Sequence, residues 1–199
     1  MKEQLMRFRS AFIKDDEMWC VPRNLNRLFK VNLDNWFVKD VCNLGLEDKY
    51  HIEDIFQHEG FIYCISATGA RVIRYCESTG RIDYFESEAD ERENLGAILY
   101  KKVIWIIPRS FSNNMLCFDL QKDAFYICSD WKKKYEKSGI QDRIMTFCFK
   151  DRAIYLVMKE KCEIIKFDLE QKIFQEIRLP GKEGLHCIFK FSSDFYITS

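Results

Sequence analysis

Apolar pairs that end in Trp or Tyr recur along the chain at Met18-Trp19, Ile62-Tyr63, Ile104-Trp105, Ile154-Tyr155 and Phe195-Tyr196. The ring positions lie 44, 42, 50 and 41 residues apart. A period of that length marks a supersecondary unit that cannot bury both its faces alone and is repeated so that neighbours cover one another. Thirteen or fourteen residues after each of the first four rings, polar residues break an apolar run: Val31-Asn32-Leu33-Asp34-Asn35, Tyr75-Cys76-Glu77-Ser78-Thr79-Gly80, Phe118-Asp119-Leu120-Gln121-Lys122-Asp123 and Phe167-Asp168-Leu169-Glu170-Gln171-Lys172. Asn, Asp and Gly satisfy nearby backbone groups or tolerate positive φ, so each break predicts a turn. A further strand is predicted after it, at Trp36-Phe37-Val38, Ile82-Asp83-Tyr84-Phe85, Ala124-Phe125-Tyr126-Ile127 and Ile173-Phe174-Gln175-Glu176-Ile177. One more precedes each ring, at Ala11-Phe12-Ile13, Asp54-Ile55-Phe56, Ala97-Ile98-Leu99-Tyr100, Phe147-Cys148-Phe149 and Cys187-Ile188-Phe189. Short β-branched and aromatic runs, punctuated by turn residues at about 8–12-residue spacing, predict an all-β chain. Each repeat reads as four strands, A to D, with the ring on strand B.

Residues 8–43, 54–87, 97–130 and 147–180 make full units, and 187–199 supply strand A and the start of B. Period, strand count and the Phe-Asp-Leu turn resemble a β-propeller of the broad Kelch or galactose-oxidase-like kind, over nearly the whole chain and without the Kelch double glycine. The resemblance implies a single propeller-like domain of four-stranded antiparallel blades, four full and a fifth partial. The competing architecture is a β-sandwich or solenoid. A last unit without strands C and D reads as an incomplete or truncated propeller, or one completed by another chain. An open strand edge invites pairing, so a protein partner or further blades are expected.

Composition adds limits. Lys plus Arg and Asp plus Glu number 31 each, so the net charge is zero, which argues against a nucleic-acid or acidic-membrane footprint. The longest apolar runs are strand-sized, and residues 1–9 carry no signal-peptide core, which points to the cytoplasm. The nine cysteines form no Cys-x-x-Cys pair, and several fall at equivalent strand positions, where a free thiol acts as a small apolar side chain. His51, His58 and His186 lack zinc-type spacing, so neither metal nor cofactor is expected.

Candidate binding residues lie on the predicted B–C turns and D-to-A connections, which share one end of a blade. Pro22-Arg23-Asn24 and Pro108-Arg109, with Asn113 beyond, follow the ring at the same offset, and Lys159 stands there in the fourth unit. Arg23, Arg109 and Lys159 would suit an anionic sugar or metabolite, because guanidinium donors match planar and tetrahedral oxyanions. The bland alternative is a solvated strand end. A short helix is predicted at the insertion carrying Trp131 and Tyr135, four apart, with Gly139 as its cap. That pair either grips a sugar ring or peptide, or staples the loop to its blade. No nucleophile elbow, phosphate loop, metalloprotease helix or dinucleotide fingerprint occurs, so catalytic residues are not assigned. The leading expectation is a non-catalytic binding scaffold. The alternatives are an enzyme or binding domain for an anionic sugar, and a fragment of a longer propeller protein.

Overall fold

A computed structural model describes residues 8–22, 25–47, 51–87, 92–133, 143–158, 163–179, 187–191 and 194–198. The described strands form four antiparallel meanders and a hairpin. The first meander is β1 (Phe8–Lys14), β2 (Glu17–Pro22), β3 (Arg27–Asn32) and β4 (Val38–Asn43). The second is β5 (Ile52–His58), β6 (Phe61–Ser66), β7 (Ala70–Cys76) and β8 (Ile82–Ser87). The third is β9 (Asn94–Tyr100), β10 (Val103–Pro108), β11 (Met115–Asp119) and β12 (Ala124–Cys128), after which comes a short helix, α1 (Ser129–Lys133). The fourth is β13 (Ile144–Lys150), β14 (Ala153–Met158), β15 (Glu163–Asp168) and β16 (Ile173–Arg178), and β17 (Cys187–Phe191) pairs with β18 (Asp194–Thr198). Each meander is a predicted A-to-D unit with its ends moved by a few residues. No helix among the described residues is long and apolar enough to cross a membrane.

Cα packing divides the chain into two compact units, Met1–Gly96 and Ala97–Ser199. In the first, alternation on β2 sends Trp19 and Val21 into a core with Leu28 and Leu44 of the first sheet and Ile52, Ile55, Ile62, Cys64, Ile73 and Tyr75 of the second. The intervening Cys20 lies on the opposite sheet face, with Phe29 and Val31. In the second unit, Val157, Ile164 and Ile188 join the fourth sheet to the hairpin. The same unit holds an aromatic core of Phe111, Trp131, Phe167 and Phe174. Trp19, Tyr63 and Trp105 are buried, as the repeat predicts, and Tyr155 is partly buried. Tyr196 corrects the expectation of five wedged rings, being 46% exposed. Its strand has one hydrogen-bonded neighbour among the described residues, β17.

The four C–D turns share one construction. Asn32 Oδ1 accepts hydrogen bonds from the Asp34 and Asn35 amides at 3.1 Å each. Asp119 does the same for Gln121 and Lys122, and Asp168 for Glu170 and Gln171. Four residues past the turn starter the backbone turns left-handed, at Trp36 (φ 58), Gly80 (φ 72), Asp123 (φ 50) and Lys172 (φ 57). The residue after the starter donates its amide to an A–B turn carbonyl, as in Leu33 N to Asp16 O at 2.8 Å and Leu169 N to Arg152 O at 2.9 Å. This geometry overturns one boundary. Trp36 and Phe37 belong to the turn rather than to strand D, because the left-handed residue must come before the strand can begin.

Candidate functional site

The end of the first unit that carries its B–C turn and D-to-A connections holds a cleft of about 260 Å³. Gly45 to Glu47, just past β4, form one wall, and Arg71, Tyr84 and Glu86 on β7 and β8 form the other. Arg71 and Glu86 are direct cross-strand partners, and their side chains meet at 2.5 Å. Gly45 is required where it stands. Its φ is +65°, and a Cβ there would sit 2.6 Å from the Tyr84 hydroxyl. Burial of that hydroxyl, with the Cys42 thiol nearby, raises the phenol above its ordinary range, so it remains a neutral hydrogen-bonding group. With Glu47 on the rim, the lining carries two carboxylates and one guanidinium. The volume suits a residue-sized group rather than an extended ligand.

Next to the cleft, the B–C turn of the second sheet is a fixed structure. Asn94 Nδ2 donates to the Ser66 and Gly69 carbonyls at 2.9 and 2.8 Å. The Asn94 amide donates to Ala67 O at 2.8 Å, and Thr68 bridges to Glu93.

In the second unit, Arg109 follows β10 and its carbonyl accepts the Ile144 amide at 2.9 Å. Asn113 donates its amide to Ser110 O at 3.2 Å. Between them Phe111 turns inward and stacks on Trp131 at 4.8 Å, with an interplanar angle of 22°. The structure thus brings Arg109, Asn113 and Trp131 to one turn, held by a residue the sequence reading passed over. Trp131 is 0% exposed and meets Phe167 edge-on at 5.4 Å. The ring packs as core between the third sheet's B–C turn and Phe167 and Phe174 of the fourth sheet. Arg23, Asn24, Lys159 and Tyr135 lie outside the described residues.

Sequence reading also missed the thiol at Cys76. It occupies the turn-starter position held by Asn32, Asp119 and Asp168 elsewhere, with Sγ 3.4 Å from Ser78 Oγ. Hydrogen bonds from Ser78 and Thr79 lower it to about 7. The sulfur takes the place of the Asx oxygen. Burial pushes other thiols the opposite way, Cys20 and Cys42 to about 11 and Cys117 to about 12.

No family model and no curated protein matches the chain. Solved structures do. Virginiamycin B lyase from Staphylococcus aureus, itself a β-propeller, superposes with a TM-score of 0.71 at 13% identity over 99% of this chain. The fold is β-propeller-like. A catalytically inactive form of that lyase with quinupristin gives a TM-score of 0.73, also at 13% identity over 99% of the chain. The chain spans 64% of the length of either lyase chain. The computationally designed Ika8 protein matches at 0.65 and 8% identity, over 98% of this chain and 56% of that one. At these identities the likeness concerns the fold of the propeller-like array and leaves its chemistry open.

Proposed function

We propose that the chain is a non-catalytic protein-interaction scaffold of the cytoplasm, a single domain with propeller-type blades of the Kelch or galactose-oxidase kind. One observation carries this reading. Of the ten large hydrophobic side chains exposed among the described residues, seven lie on a D strand or the turn entering it: Trp36, Phe37, Val38, Tyr84, Tyr126, Ile127 and Ile173. Each D strand has one described hydrogen-bonded neighbour, so these side chains stand beside open backbone edges. Apolar groups gathered on such edges mark surfaces that another chain covers. Further strands, of this or another chain, would add at the same edges.

Peptide-display selection on the full chain tests the reading. Selected peptides should lose binding to a variant with serine at all seven positions, once circular dichroism shows it folded. Undiminished binding would overturn the proposal.

The cleft supports a second reading, a small-ligand site on the B–C-turn end. Its two carboxylates and one guanidinium favour a zwitterion or cation over the anionic sugar expected from Arg23 and Arg109. Calorimetric titration with free amino acids, on wild type and Arg71→Ala, decides it.

A further inference from the structure

Among the C–D turns, the one in the first sheet is built differently at its tip. Where the others place Gly80-Arg81, Asp123-Ala124 and Lys172-Ile173, it places Trp36-Phe37. Trp36 is 70% and Phe37 67% exposed. The left-handed φ of 58° is common to this turn position, but it is one that a bulky L residue rarely adopts. The turn holds it rigidly. Asn32 Oδ1 accepts two amides, Asn35 Oδ1 accepts the Phe37 amide at 2.9 Å, and the Asn32 amide donates to Phe37 O at 2.9 Å. The backbone that carries the two rings is therefore fixed, so the turn itself needs little ordering on binding.

The tip continues into an apolar row. Ile13, Met18, Val31 and Val38 are successive cross-strand partners across all four strands of the sheet. The row lies on the face opposite Trp19, whose ring is committed to the core shared with the second sheet. Both ends of the row, Ile13 and Val38, are exposed, while Val31 is buried and Met18 half-buried between them.

Charge around this patch is one-sided. Asp15 and Asp16 on the A–B turn and Asp34 on the C–D turn are exposed and have no ion pair among the described residues. The backbone bond from Leu33 N to Asp16 O holds the two turns together. The neighbouring cations are neutralised or turned away. Lys14 pairs with Glu77 at 3.0 Å and Lys30 with Glu17, while Lys39, cross-strand partner of Lys30, projects from the opposite face to Val38.

We propose that the Trp36-Phe37 tip, with Val38 beside it and Ile13 at the far end of the row, forms a docking surface for a protein segment whose apolar anchors are flanked by lysine or arginine. Two large rings supply the anchor energy, as aromatics do at interface hot spots. Three free carboxylates select basic flanks and oppose an anionic lipid surface. The inference rests on the interaction-scaffold reading and narrows it to one surface and one class of partner.

The test uses the full chain and a labelled synthetic peptide of leucine and phenylalanine flanked by lysines, read by fluorescence anisotropy. Binding should weaken with salt, and the same peptide flanked by glutamates should not bind. Trp36→Gly and Phe37→Ser should each lower affinity at least about tenfold. Trp36→Gly should do so without lowering the melting temperature, because glycine relieves the left-handed backbone; a merely structural tryptophan would lower both. Asp15→Asn, Asp16→Asn and Asp34→Asn together should flatten the salt dependence. Equal binding of the two peptides, or affinity indifferent to Trp36→Gly, overturns the proposal. So does binding to phosphatidylserine vesicles that shields Trp36 from acrylamide, which would assign the tip to a membrane. So does a dimer, seen by light scattering, that Phe37→Ser dissolves, which would assign it to a second copy. If these variants bind normally while the sevenfold serine variant does not, the scaffold reading survives and only this surface is lost.

Discussion

Trp131→Ala should damage the second unit more than any surface change. The side chain is fully buried against Phe111, Phe167 and Phe174. Burying a ring of this size removes ~150–250 Å² from water, or ~4–6 kcal/mol at ~25 cal/mol per Å². Truncation at comparable core sites costs about 3–5 kcal/mol, a large share of a typical domain's stability of roughly 5–15 kcal/mol. Trp131→Phe separates packing from polarity. The indole Nε1–H is buried with no hydrogen-bond acceptor among the described residues, a burden of about 1–3 kcal/mol that phenylalanine does not carry. The smaller ring loses contacts, yet removal of the orphan donor offsets that loss, so the Phe variant should fall within about 1.5 kcal/mol of wild type. Guanidinium titration followed by far-UV circular dichroism reads both. With m of roughly 2–6 kcal/mol/M, the Ala variant's midpoint should drop by on the order of 1 M, with m unchanged. An Ala penalty under about 1 kcal/mol would show that the indole does not hold the unit together. A Phe variant as damaged as Ala would show that the orphan donor is in fact satisfied.

Three further predictions concern other sites. Gly45→Ala should destabilise by about 1–2 kcal/mol through its positive φ. Adding Tyr84→Phe should recover part of this, since the hydroxyl is the nearest atom at 2.6 Å and the next ring atom stands at 3.3 Å; strictly additive losses in thermal unfolding would refute the clash. For Asp168, burial pushes the carboxyl up, but the Gln171 and Glu170 amides and the Arg152 guanidinium outweigh it and hold it below the ordinary range. The unfolded chain therefore binds the proton more readily. The stability from this group is complete above an ordinary carboxylate pKa of about 4 and is lost as pH falls through the lower folded value. Asp168→Asn should flatten that acid limb of a pH–stability curve, and an unchanged slope would refute the assignment. Cys76 should alkylate ahead of Cys20, Cys42, Cys64 and Cys117 at neutral pH, with a rate midpoint of about 7 that Ser78→Ala raises. Peptide mapping by mass spectrometry after brief iodoacetamide treatment checks this, and equal labelling of Cys42 would contradict it.

What the sequence disclosed and what it withheld follow from how local each determinant is. The rings at Trp19, Tyr63 and Trp105 announced the repeat because each sheet buries one ring at the same strand position, so the burial demand recurs with the period of the sheets. Asn32, Asp119 and Asp168 announced turns because an Asx oxygen caps amides two and three residues ahead, a contact needing nothing distant. Cys76 plays the same part unseen, since a thiol reads as an apolar strand residue until neighbouring amides and hydroxyls are placed around it. Trp36-Phe37 was misread as strand for the opposite reason. Hydropathy counts two rings as buried, and only the left-handed step four residues past Asn32 shows that they stand in solvent.

The candidate site was harder to read because it depends on register and closure. Arg71 and Glu86 become partners only when the second sheet's C and D strands pair, and the cleft exists only because the chain after β4 passes the Tyr84 hydroxyl at a glycine. Trp131 beside lysines was equally compatible with a ligand platform and a core ring. Its neighbours Phe167 and Phe174 lie more than thirty residues away, where a local reading does not reach. Function is more cryptic than fold here for one physical reason. The strand pairing of each blade joins neighbours in sequence, whereas the surfaces that could bind are made of what packing leaves uncovered. A polar turn and an aromatic turn are equally compatible with the blade, since Trp36, Asp123 and Lys172 all take the same left-handed step, so the blade pattern alone does not reveal which turn tip is apolar.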